Sequence, residues 1–112
     1  MSNHFKVSTS RAGDAATISC SGELDIAAAP SIQTAIDEIF AEAPQMLELD
    51  WSGLTFMDST GIRLLLMIVK RSGSEGIDLI WRLSEASQRA LDAVGIHDGT
   101  LRQLGEQSDN ED

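Results

Sequence analysis

Between Met46 and Val69 the apolar residues change their period from two to about 3.6, and few architectures accommodate that switch. Leu47, Leu49 and Trp51 alternate with Met46, Glu48 and Asp50, the pattern of a strand with one face buried. Ile62, Leu65, Leu66 and Val69 then recur at i, i+3, i+4 and i+7, the stripe of a helix with one face on a core. A strand that runs directly into an amphipathic helix needs a further strand after it, and a right-handed crossover makes that strand parallel to the first.

The flanking segments supply the partners. Phe5–Thr9 and Ala16–Ser21 alternate about the turn Arg11-Ala12-Gly13-Asp14, so the chain is expected to open with a hairpin. Pro30 marks the first turn of a helix with Ile32, Ala35, Ile36, Ile39, Phe40 and Ala43 on one face, and Pro44 closes it. Ile77, Leu79, Trp81 and Leu83 mark a fourth strand. Ser84 caps a third helix, Glu85 to Val94, that turns Ala86, Ala90, Leu91 and Val94 inward and stops at Gly95. The order predicts an α/β fold: a mainly parallel mixed sheet of four to five strands with an N-terminal hairpin. Polar residues persist at alternate strand positions, so the helices are expected to pack largely on one face. After His97 only Leu101 and Leu104 are apolar. Residues 105–112 are expected to form an acidic disordered tail beyond a domain spanning 1–104.

At 112 residues one core is expected. A net charge of −10 with eight Lys and Arg argues against nucleic acid or an anionic membrane as the main partner, because both need clustered basic residues. No apolar run approaches the roughly 20 residues of a membrane span and no signal peptide is visible, so a cytoplasmic location is expected. The single cysteine, Cys20, falls at an inward strand position and reads as a buried, inert thiol.

Asp58-Ser59-Thr60 stands where the strand ends and the helix begins. Two readings stay open on the residues alone: Asp58 and Ser59 cap the helix and do nothing more, or Ser59 carries a phosphate, which a helix N-terminus accommodates. Enzyme signatures are missing. Met57 stands where Gly-x-Ser-x-Gly needs glycine, and His4 and His97 lie near opposite ends of the chain with nothing to place either beside Ser59. Neither metal-ligand spacing nor a Gly-rich phosphate loop occurs, so no catalytic residue, metal or cofactor is expected. Asp25, Asp50 and Asp58 follow strand ends and are expected either to share one sheet edge or to serve as turn residues. At 100° per residue, Thr60, Arg63, Met67 and Arg71 point away from the core with Leu64 at their border, which makes this side a candidate contact surface.

Three segments together resemble one known family. Gly22-Glu23-Leu24-Asp25, Leu49-Asp50-Trp51-Ser52-Gly53-Leu54 and Phe56-Met57-Asp58-Ser59-Thr60-Gly61-Ile62 look like the STAS domain of bacterial anti-sigma factor antagonists, and Phe5 to about Thr100 follows the family's element order. The resemblance implies that the unmodified protein binds an anti-sigma factor that is also an ATP-dependent serine kinase and so releases a sigma factor. It also implies that phosphorylation of Ser59, rather than Thr60, switches binding off and that a Ser/Thr phosphatase resets it. Asp25, Asp58, Thr60, Arg63, Leu64 and Met67 are then the expected partner-binding residues, with ATP used by the kinase alone. The alternative is a STAS scaffold that binds a partner or ligand without phosphorylation. Trp51 and Trp81 replace smaller aliphatics, the family's last strand and helix look shortened after His97, and the acidic tail is additional.

Overall fold

The computed structural model describes residues 4–109. Strands β1 (Lys6–Ala12) and β2 (Ala15–Leu24) form the antiparallel hairpin, and Gly13 at φ +63° turns the chain in the two-residue loop between Ala12 and Ala15. β2 pairs in parallel with β3 (Met46–Met57), which pairs in parallel with β4 (Asp78–Leu83), giving the order β1-β2-β3-β4. Helix α1 (Ala29–Ala41) links β2 to β3 and α2 (Ser59–Ser74) links β3 to β4; α3 (Glu85–Ala93) and α4 (Asp98–Asp109) follow.

One face of the sheet carries the core. Ala16, Ile18 and Cys20 of β2 and Leu47, Leu49 and Trp51 of β3 are buried against Ile32, Ile36, Leu65, Ile68, Leu91 and Leu101 from the four helices. Each such Leu or Ile contributes about 1.5–3 kcal/mol by leaving water. The alternating residues Thr17, Ser19, Glu48 and Asp50 are only half-buried, while Ser8, Ser10 and Arg82 on the flanking strands are exposed. This is the two-layer arrangement that the polar alternation requires. Burial pushes the Cys20 thiol up to about 12, and the Trp51 Nε1–H is buried with no hydrogen-bond partner among the described residues.

Several expectations need correcting. Leu64 lies in the core rather than at its border, together with Ile68, because the buried stripe of α2 is Gly61, Leu64, Leu65, Ile68, Val69 and Ser72; Ile62 and Leu66 are half-buried at its flank. Arg71 is half-buried: it bonds Asp37 at 3.2 Å and Glu75 at 3.0 Å, and its guanidinium stacks 4.4 Å from the Phe40 ring, tying α2 to α1. Ala43 is exposed and left-handed (φ +50°) instead of extending the face of α1. Val94 points outward at the end of α3. Residues 98–109 form α4, which covers the stretch from Gly105 where disorder is expected, and residues 110–112 lie outside the described residues. Leu101 is fully buried, and a Cβ on Gly73 would come 2.1 Å from the Gly105 carbonyl oxygen, so α2 and α4 touch backbone to backbone.

Candidate functional site

Two strand ends build the site. Gly22 is left-handed (φ +92°), and a Cβ there would meet the His4 carbonyl oxygen at 2.4 Å, so only glycine lets the start of the chain lie against β2. Leu24 follows, fully buried and paired with Met57. Asp25 then caps the turn into α1: its Oδ1 accepts from the amides of Ala27 at 3.0 Å and Ala28 at 3.3 Å. On the neighbouring strand the Asp58 amide donates to the Leu24 carbonyl at 3.3 Å. Asp25 and Asp58 thus stand together at the C-terminal ends of two parallel strands, where open α/β sheets place their sites.

Asp58 is the N-cap of α2. Its backbone is extended (φ −107°, ψ −164°), and its Oδ1 accepts from the Thr60 amide at 2.9 Å. The amides of Gly61 and Ile62 donate to the Asp58 carbonyl at 3.0 and 3.3 Å. Three amides of the first turn are therefore engaged inside the protein, and a group on Ser59 would meet the helix field without being clasped by them. Ser59 itself is exposed, with no hydrogen bond from its hydroxyl, while Thr60 beside it is half-buried. Gly61 explains the close seating of this turn: a Cβ there would lie 2.2 Å from Met57 Cγ and 3.0 Å from Leu24 Cδ2.

The remaining expected residues divide. Arg63 is exposed one turn beyond Ser59, and Met67 is half-buried on the next turn. Leu64, at 8% exposure, presents little surface to a partner. Asp50 is not at this end. It pairs in register with Ser19 and Arg82 in mid-sheet, and its carboxylate accepts from the Ser52 hydroxyl at 2.6 Å and amide at 3.1 Å, which holds it below its ordinary range. His4 comes to the same end of the sheet as Ser59, but on β1's side of β2. Two strand spacings, about 10 Å, separate it from β3. His97 lies 3.6 Å from Asp92, beyond α3. Neither histidine is hydrogen-bonded to Ser59. Among the described residues no three His, Cys, Asp or Glu side chains gather as a metal site, and no helix is long and apolar enough to cross a membrane.

Two residues at this end are not found by sequence periodicity. Ile26, 78% exposed, directly follows Asp25, and Phe56, 47% exposed, pairs with Glu23 just before the junction. The irregular pairing between Gly22 and Glu23 breaks the alternation of β3, so Leu54 and Met57 turn inward at a spacing of three and Phe56 faces out. The signal in the sequence is that broken alternation.

A STAS domain family model matches residues 6–106. The anti-sigma-F factor antagonist RsfB of Mycobacterium tuberculosis is 28% identical over 87 residues, covering 78% of this chain and 70% of the relative. The crystal structure of an anti-sigma factor antagonist from Mycobacterium paratuberculosis superposes with a TM-score of 0.70 at 26% identity, over 81% of this chain and 78% of that one. The anti-sigma factor antagonist SpoIIAA in its unphosphorylated form shares the fold at a TM-score of 0.65 and 21% identity, over 82% and 81% of the two chains.

Proposed function

The chain belongs to the STAS domain family, and from that premise we propose that it is an anti-sigma factor antagonist whose hold on its partner is released by a phosphate on Ser59. The observation that carries the reading is an exposed, unbonded serine hydroxyl at the start of α2, at the same end of the sheet as two exposed apolar side chains, Ile26 and Phe56, that the core does not use. Apolar groups at such a place fit a protein contact. The partner is an anti-sigma factor that uses ATP to phosphorylate Ser59, a Ser/Thr phosphatase resets it, and the exchange takes place in the cytoplasm.

The chemistry of the switch follows from charge. A phosphate adds about −1.5 to −2 at a place already flanked by the carboxylates of Glu23, Asp25 and Asp58. The first-turn amides are engaged, so the phosphate projects toward the partner. Arg63, four residues on, is the one basic side chain of the same helix face within a turn, and an exposed pair of that kind contributes only about 0.3–0.5 kcal/mol. Burying the uncompensated charge in an interface costs on the order of 3–5 kcal/mol, which weakens binding by roughly a hundredfold or more.

Incubation with the cognate kinase and ATP, followed by intact mass and peptide mapping, tests the modification. One phosphate on Ser59 is expected. Phosphate on Ser8 or Ser84 with none on Ser59 refutes it. Ile26→Glu and Phe56→Glu test the surface: each is expected to weaken partner binding by about tenfold with melting unchanged, the loss typical of an interface anchor. Full affinity in both variants moves the contact elsewhere.

A further inference from the structure

A hollow of about 390 Å³ opens between the last turn of α2, the start of β4 and α4. It is remote from the switch: at about 1.5 Å per residue, Ser72 lies roughly 20 Å along α2 from Ser59. Its volume falls within the roughly 300–1,000 Å³ of small-molecule sites. Val69, Ile77 and Leu101 give it an apolar floor, and Trp81 forms one side. Gly73 and Gly105 meet backbone to backbone at its edge. Ser72 faces it from the buried side of α2, only 1% exposed, and its Oγ has no hydrogen-bond partner. A buried hydroxyl left unpaired is destabilising, which makes it a group awaiting a partner.

The charges around the hollow select the kind of ligand. Asp78 and Glu106 line it, both exposed and neither in an ion pair among the described residues. The C-terminal carbonyls of α2 add the negative end of the helix dipole, with Ser72 and Gly73 accepting only from Ile77 and Gly76. Against these stands one cation, Arg102. It forms no ion pair with Asp98 or Glu106, each four residues away on α4; its guanidinium lies instead 5.2 Å from the centroid of the Trp81 ring. The chain's own cation thus occupies the π face that an aromatic cage offers.

We propose that this hollow binds a small organic cation with an apolar body, seated on the Trp81 ring where Arg102 now lies. The bound cation draws on Asp78 and the end of α2, its apolar part covers Val69 and Leu101, and Arg102 swings toward Glu106 on its own helix, Asp98 already accepting from the Trp81 indole N–H at 3.3 Å. An anion would need Arg102 and would face two carboxylates and a helix C-terminus. The two ligand classes therefore respond in opposite ways to loss of Arg102.

Benzyltrimethylammonium is the probe, titrated into the full chain and followed by the amide signals of Gly73 and Gly105 and the indole N–H of Trp81; benzoate and benzyl alcohol are the anionic and neutral controls. Saturable shifts at these three signals are expected with the cation and not with benzoate. Arg102→Met is expected to tighten cation binding and Asp78→Asn to weaken it, each by about threefold, the factor that one exposed cation–π or charge contact is worth. Asp78 is exposed, so Asp78→Asn keeps the fold and decides the matter if Arg102→Met loosens α4. The proposal fails if the cation produces no saturable shift at these signals, if benzoate binds equally, or if neither substitution changes affinity in the stated direction.

Discussion

Replacing Gly61 by alanine perturbs the seat of α2 in a way the structure quantifies. The new Cβ would stand 2.2 Å from Met57 Cγ, 2.7 Å from Met57 Sδ and 3.0 Å from Leu24 Cδ2. Met57 is 6% exposed and Leu24 is fully buried, so neither can swing into solvent to make room. Overpacking of this kind costs about 1–3 kcal/mol. Alanine's helix propensity offsets at most about 1 kcal/mol, and less in a first turn. A net loss of about 1–2 kcal/mol follows, which lowers the melting temperature of a domain this size by roughly 5–15 °C. Thermal and urea unfolding followed by circular dichroism read it directly. Met57→Ala supplies the control: in that background the two closest contacts are gone and only Leu24 Cδ2 remains, at 3.0 Å, so Gly61→Ala should cost less than in the parent by a coupling of about 1 kcal/mol. Equal costs in the two backgrounds, or a Gly61→Ala variant as stable as the parent, would refute the packing argument.

Three further outcomes follow from the same structure. With its pKa near 12, Cys20 is thiolate in only roughly one molecule in ten thousand at pH 8, so Ellman's reagent should label it only as fast as the protein unfolds; rapid native labelling would contradict its burial. The Asp50 carboxyl is held low, chiefly by the Ser52 hydroxyl, so its stabilising effect is complete above the ordinary value of 3.8 and fades as pH falls through the folded value. The difference in melting temperature between the parent and Asp50→Asn should accordingly close between neutral pH and about pH 2, and a gap independent of pH would rule this out. Ala43→Gly should stabilise by about 0.5–1 kcal/mol, since the left-handed conformation at φ +50° costs alanine more than glycine's extra chain entropy; a lower denaturation midpoint would show otherwise.

The sheet and the first three helices were legible because their apolar residues keep strict periods. Leu47, Leu49 and Trp51, and Ile32, Ile36 and Ile39, announce their faces without help from the rest of the chain. The rotation of α2 was not, and the reason is size: its buried stripe begins at Gly61 and ends at Ser72, small residues chosen for close approach, so counting from apolar residues alone misplaces Leu64. Helix α4 was hidden for a related reason. Its two glycines and few apolar residues give weak local preference, and it forms through Leu101 in the core and the Gly73–Gly105 contact, which are tertiary. At the site, Asp58 and Ser59 were readable as a helix start, and the register Leu24–Met57 brings Asp25 beside them as adjacent parallel strands require. Ile26 and Phe56 were missed because one stands alone in a turn and the other is turned outward by an irregularity in strand pairing.

Phosphate on Ser59 is expected to switch binding off and leave the fold intact. Calorimetric titration of the cognate anti-sigma factor into unmodified protein and into protein phosphorylated at Ser59, with circular dichroism on both forms, tests it most directly. The phosphorylated form is expected to bind about a hundredfold or more weakly, with melting unchanged within a few degrees because the helix-end field favours the charge. Equal affinity of the two forms, or a loss of binding accompanied by melting of α2, would contradict it.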